Sequence, residues 1–149
     1  MLYIYEIGAI TYHYKNNEPE KALQWREDLD HFAKTYNIKT FNPTNGYTQN
    51  VDKSYNSQLC VDQNEFFLKQ CNLAVADLSY IHESAGSIYE LVRCKTLGVP
   101  VIGFGNFKWE DNPHLQSCIS YRAKALEDVK VVICDMFLSS VERKCVCLK

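Results

Sequence analysis

A carboxylic acid and two hydroxyls share one short run, Ser84-Ala85-Gly86-Ser87-Ile88-Tyr89-Glu90. A carboxylate beside small residues that let a ligand reach the backbone can act on a polar small molecule bound there. The same residues have a plainer use. Ser87 and Glu90 stand at the S-x-x-E spacing of a capping box, which makes Ser87 the N-cap and ties Glu90 to the backbone at the helix start. The two roles are compatible, because a helix N-terminus favours the ionised, nucleophilic form of a nearby carboxylate.

The surrounding elements decide what that run faces. Leu73 to Ser79 is nearly all apolar up to Asp77, the pattern of a parallel strand buried on both faces. A helix follows from about Ser87 to Leu97 with Gly98 as its stop, then a strand over Val99–Gly105. Upstream, residues 2–10 read as a first strand and 12–17 as a loop. Glu18-Pro19-Glu20 opens a helix that carries Ala22, Trp25, Leu29, Phe32 and Ala33 on one stripe. Residues 38–43 form a short strand stopped by Asn42-Pro43, and 46–58 are a long polar loop with the character of a lid. Residues 61–72 read as a helix with Val61, Phe66 or Phe67, Leu68 and Cys71 on its inner side. Residues 106–117 read as a loop, 119–129 as a helix, 129–137 as a last strand and 138–149 as a tail or short helix. Strands alternate with helices, so the expected fold is one α/β domain over 1–149. It is a three-layer sandwich around a mostly parallel, Rossmann-like or flavodoxin-like sheet.

Composition narrows the function classes. Hydrophobic residues at 46% and charged residues at 23% fit a soluble globular chain, and a net charge of -2 gives no basic excess to bind nucleic acid. The apolar start is short, contains Glu6 and lacks a basic flank, which argues against a signal peptide or a membrane span and for a cytoplasmic protein. Seven cysteines, at 60, 71, 94, 118, 134, 145 and 147, form no repeated pair, so free thiols are expected. The Cys145-x-Cys147 pair would need two further ligands to hold a metal, and no motif places them; no metal or organic cofactor is expected.

Ligands of parallel sheets bind beyond the carboxyl ends of the strands. There the first strand delivers Tyr5, Gly8, Ala9 and Ile10, the third delivers Asp77, and the following helix presents Ser84, Gly86, Ser87 and Glu90. Tyr5 can orient a carboxylate or simply pack, and Asp77 can bind sugar hydroxyls or cap its turn. Free N–H groups at the helix start suit an anionic oxygen or a sugar hydroxyl. Trp25 and Trp109 read as packing residues, Tyr47 and Phe107 as loop aromatics able to stack on a base, and His13 and His82 as surface histidines.

The order of these motifs resembles the nucleoside 2-deoxyribosyltransferase family and its relatives, the 2′-deoxynucleoside 5′-phosphate N-hydrolases. The matching segments are Tyr5-Glu6-Ile7-Gly8-Ala9-Ile10, a helix with Trp25, Phe41-Asn42-Pro43, the strand ending in Asp77, Ser84 to Glu90, and Gly98-Val99-Pro100-Val101-Ile102. The resemblance implies that Glu90 attacks the anomeric carbon of a 2′-deoxyribonucleoside or its 5′-monophosphate. A glycosyl-enzyme forms, and a second base or water resolves it. It also implies a homo-oligomer, a dimer or larger. This sequence departs from the family at three points. Asn64 stands where the family has an aspartate that handles the leaving base, and Asp62 or Glu65 would have to substitute. Ser84 stands where the transferases often carry an aspartate; the hydrolases have a phosphate-binding serine there. The basic residue that the hydrolases use after the first strand is absent, with Lys15 the nearest cation. A protein that binds nucleotides without turning them over is the reading of another class.

Overall fold

The computed structural model describes residues 1–47, 57–108 and 112–138. Its strands are β1 (Tyr3–Ile7), β2 (Lys39–Phe41), β3 (Leu73–Asp77), β4 (Val101–Phe104) and β5 (Tyr121–Arg122). They form one parallel sheet in the order β2-β1-β3-β4-β5. This is the doubly wound arrangement in which the strand order reverses between β1 and β3, so a crevice opens at their carboxyl ends.

Helices cover both faces. α2 (Glu20–Thr35) and α7 (Leu126–Met136) close one side around Ile4, Leu29, Leu73, Ile102, Val129 and Ile133. α4 (Ser57–Leu68), α5 (Ala85–Leu97) and α6 (Pro113–Gln116) close the other around Tyr5, Ile7, Leu68, Leu91, Cys94 and Leu115. β1 and β3 are buried on both faces, as their apolar runs require. Gly98 ends α5 in the left-handed conformation, φ 72°, where its missing Cβ costs nothing.

Several expectations are corrected. Residues 12–17 are not a loop: Thr11–Lys15 is a short helix, α1, and His13 on it is buried at 2% exposure, not at the surface. The expected last strand is the helix α7. Val129 and Ile133 are four apart and both buried, and Asp128 accepts the Ala125 N–H at 3.0 Å to fasten the helix start. β5 occupies part of the segment read as a helix. On α4, Phe67 and Leu68 turn inward while Val61 and Phe66 are exposed. A further short helix, α3 (Thr44–Tyr47), follows β2; the rest of the polar loop to residue 56, the side chain of Tyr47, Trp109 and the Cys145-x-Cys147 tail lie outside the described residues. Phe107 is buried against His82, with ring centroids 5.3 Å apart, and does not present a stacking face. Among the described residues no helix is long and apolar enough to cross a membrane, and the five described cysteines form no disulfide.

Candidate active site

The helix that carries Glu90 begins earlier than its capping-box spacing implies. A 3-10 turn at Ile81–Glu83 leaves Ser84 at φ -132°, ψ 89°, and Ser84, not Ser87, is the N-cap. The Ser84 hydroxyl accepts the Ser87 N–H at 3.3 Å, and the two hydroxyl oxygens lie 2.7 Å apart. Glu90 therefore sits in the second turn, beyond reach of a cap. Its Oε1 instead accepts a hydrogen bond from the Tyr5 hydroxyl at 2.9 Å. Tyr5 is fully buried in β1, with its ring 5.1 Å from that of Phe41, so the hydroxyl is held in place by the sheet itself.

Glu90 faces a cavity of 820 Å³ over the carboxyl ends of β1 and β2. Gly8, Ile10, Asn64, Ser84, Gly86 and Ser87 line the same space, so most of the residues picked from the sequence converge on it. Nothing lies within 4 Å of a Cβ built on Gly86, so that position opens directly onto free space. Tyr5 reaches Glu90 from beneath, and Ala9 is buried outside the lining. Asp77 is not brought to this cavity. Side chains alternate along a strand, and Asp77 follows Leu73 and Val75 toward α2. Its Oδ1 accepts the Ser79 N–H at 3.0 Å, which caps the turn, and it lines a separate 440 Å³ cavity with His13, Trp25 and Tyr80.

The structure adds residues that the sequence reading passed over. Phe41 and Phe67 stack at 4.3 Å between centroids and form an aromatic wall of the larger cavity. Arg26 is fully buried yet also lines it, donating to the Ala22 carbonyl at 2.6 Å and the Gly8 carbonyl at 3.0 Å. It lies over the Trp25 ring at 4.4 Å. The signal was present: Arg26 falls on the buried stripe Ala22, Arg26, Leu29, Ala33, where an arginine has no reason to be unless it serves the interior. Glu6, in the middle of a buried strand, is the other such residue.

Burial raises the Glu90 carboxyl to about 7; the Tyr5 hydrogen bond and the positive field of Arg26 oppose that rise. Tyr5 is pushed up by burial first and then by the Glu90 charge, so its hydroxyl keeps its proton and stays a donor. Burial, with Asp30 alongside, raises Glu6 to about 10 despite Arg26. Over the neutral range one carboxyl in the cavity wall ionises and the other does not. Among the described residues no group of three His, Cys, Asp or Glu side chains could hold a metal.

No protein-family model and no curated protein matches this chain. Its fold is similar to those of many solved structures, among them the following three. The conserved protein from Enterococcus faecalis V583 has TM-score 0.70 and 16% identity, over 88% of this chain and 96% of that one. The 2-deoxyribosyltransferase from Bacillus psychrosaccharolyticus has TM-score 0.66 and 13% identity, over 86% and 90%. The CMP N-glycosidase from Clostridium botulinum has TM-score 0.53 and 12% identity, over 88% and 97%. At these identities the likeness is one of fold.

Proposed function

We propose that this protein catalyses N-glycosyl transfer on a 2′-deoxyribonucleoside or its 5′-monophosphate, with Glu90 as nucleophile. The observation that carries the reading is the Glu90 carboxylate, fixed through one oxygen by Tyr5 and facing the 820 Å³ cavity. The other oxygen attacks the anomeric carbon, the C1′–N bond breaks, and the base departs with the bonding pair. The glycosyl ester is then opened by an incoming base or by water, as in a retaining glycosidase. The Phe41–Phe67 wall offers a face on which a nucleobase stacks. The hydroxyls of Ser84 and Ser87 and the free N–H groups of α5 offer donors to a 5′-hydroxyl or 5′-phosphate.

The second reading is hydrolysis of the 5′-monophosphate to free base. Ser84 favours it, because a hydroxyl at a helix entry accepts a phosphate where a carboxylate would repel it. The same proposal carries a homo-oligomer in the cytoplasm, without a membrane or nucleic-acid partner. Exposed Leu59 and Phe66 on α4, and Tyr89 and Val92 on α5, provide apolar surface for such contact, which sedimentation would test.

The deciding experiment is incubation with each 2′-deoxynucleoside and 5′-monophosphate, with and without a second base, separated by chromatography beside Glu90→Ala. Base exchange lost in the variant is the expected transferase result. Release without exchange identifies the hydrolase. Binding without any product leaves the nucleotide-binding protein.

A further inference from the structure

The strand order gives the larger cavity two sides. Phe41 lies on β2, with its ring 5.1 Å from that of Tyr5 on β1, and Phe67 stacks on it. The entry to α5 follows β3, on the other side of β1. Glu90, bonded to the Tyr5 hydroxyl, stands between the aromatic wall and that entry. Five consecutive residues, Glu83 to Ser87, line the cavity at the entry, and Glu83 is the one that carries charge. Its side chain is exposed, so it meets whatever occupies that end. It is carried on a closed turn: its N–H donates to the Tyr80 carbonyl at 3.0 Å, and the Ser84 N–H donates to the Ile81 carbonyl at 3.1 Å.

No cation answers it. Among the described residues no lysine or arginine pairs with Glu83. Arg26 is the one arginine or lysine that borders the cavity there, and it has no exposed surface. Two of its nitrogens donate to the Ala22 and Gly8 carbonyls, and it belongs to α2 on the opposite face of the sheet. The remaining groups at the entry are neutral donors. Ser84 already accepts the Ser87 N–H, and one of the two serine hydroxyls donates to the other across 2.7 Å. That leaves one hydroxyl proton and the N–H groups of Ala85 and Gly86. These serve a hydroxyl and a phosphate alike, whereas a carboxylate separates the two. The N-terminus of α5 contributes roughly half a positive charge. The full negative charge of Glu83 outweighs it.

We propose that Glu83 is a specificity-determining residue that excludes 5′-phosphorylated donors, so that the glycosyl donor is the free 2′-deoxynucleoside. The proposal rests on the glycosyl-transfer reading of this cavity. With C1′ at Glu90 and the base on the Phe41–Phe67 wall, the C5′ substituent is directed toward residues 83–87. A 5′-hydroxyl is neutral and finds its partners there. A phosphate monoester brings a charge of about −1.5 to −2 against the Glu83 carboxylate.

The test compares kcat/KM for base release from a 2′-deoxynucleoside and from its 5′-monophosphate, in the wild type and in Glu83→Gln, Glu83→Lys and Glu83→Asp. The readout is the ratio between the two donors. The wild type is expected to favour the nucleoside. Glu83→Gln is expected to move the ratio toward the monophosphate by about 10-fold and Glu83→Lys by about 10²-fold. The change should lie in KM for the monophosphate, because the repulsion is the same in ground and transition states. Glu83→Asp keeps the charge and should keep the wild-type ratio. Added salt should narrow the wild-type ratio toward that of Glu83→Gln. A wild type that uses the monophosphate as well as the nucleoside or better overturns the proposal and leaves glycosyl transfer standing. So does a ratio that neither Glu83→Gln nor Glu83→Lys moves. A wild type that releases base from neither donor overturns both.

Discussion

Glu90, half-buried, and Glu6, fully buried, both border one cavity, and burial raises both. What differs is the company. Glu90 is answered by the Tyr5 hydroxyl and the Arg26 field and returns to about 7. Glu6 has another carboxylate beside it and goes to about 10. Two environments on neighbouring faces of one strand therefore hold one residue type at two different protonation midpoints. Such a separation is how carboxylate pairs run acid and base chemistry at neutral pH. Burial alone would have raised both; the Tyr5 donor given to Glu90 and the Asp30 carboxyl set beside Glu6 make the division.

The comparison breaks most completely with Glu90→Gln. Single-turnover and steady-state rates of base release are expected to fall by at least about 10⁴-fold, with the fold retained by circular dichroism. Tyr5→Phe removes the donor and sharpens the contrast. A hydrogen bond to a charged group contributes about 1.5–3 kcal/mol, so kcat/KM is expected to fall roughly 10- to 100-fold. The acid limb of its pH profile, near 7 in the wild type, should move to higher pH, since Glu90 loses a group that favours its ionised form. Gly86→Leu tests the free space rather than the charges. A raised KM is expected, with stability unchanged or higher by up to about 1 kcal/mol, because leucine suits a helix better than glycine and meets no neighbour there.

The smallest effect is on folding. Both carboxyls have folded-state values above their usual ones, so the stability they contribute is full at low pH and is lost as pH rises through the folded values. Denaturation midpoints are expected to decline from about pH 4.5, more steeply up to about 7 and more gently from there to about 10, while the rate rises as Glu90 ionises toward 7. In Glu90→Gln the decline below pH 7 should be shallower.

Much of this was legible in the sequence because it depends on short-range pattern. The apolar runs of β1, β3 and β4 announce strands buried on both faces, and Gly98 announces the end of α5. Ser84, Gly86, Ser87 and Glu90 could be assigned to one crevice because one helix start carries them all. Less legible was anything decided by a partner remote in the chain. Val129 to Ile133 favours a strand locally, yet packing against α2 and β4 makes it a helix. The N-cap went to Ser84 because of a 3-10 turn that no motif marks. Arg26 falls on the inner stripe of its helix, but what it serves there is seen only when Gly8 and Glu6 converge on it. Asp77 was assigned to the wrong crevice because strand parity was not followed to its last residue.

Pro43 has a role larger than its size. β2 lies at the edge of the sheet and stops after three residues, while β1 runs on to Ile7. Extending the pairing would set Asn42 against Glu6 and Pro43 against Ile7, but a proline has no N–H with which to continue a ladder. The difference in length between two neighbouring strands is thus what keeps the floor of the site from being zipped shut. Depth here is a matter of where pairing stops, so a mutation that lengthened the edge strand would make the cavity shallower without touching Glu90.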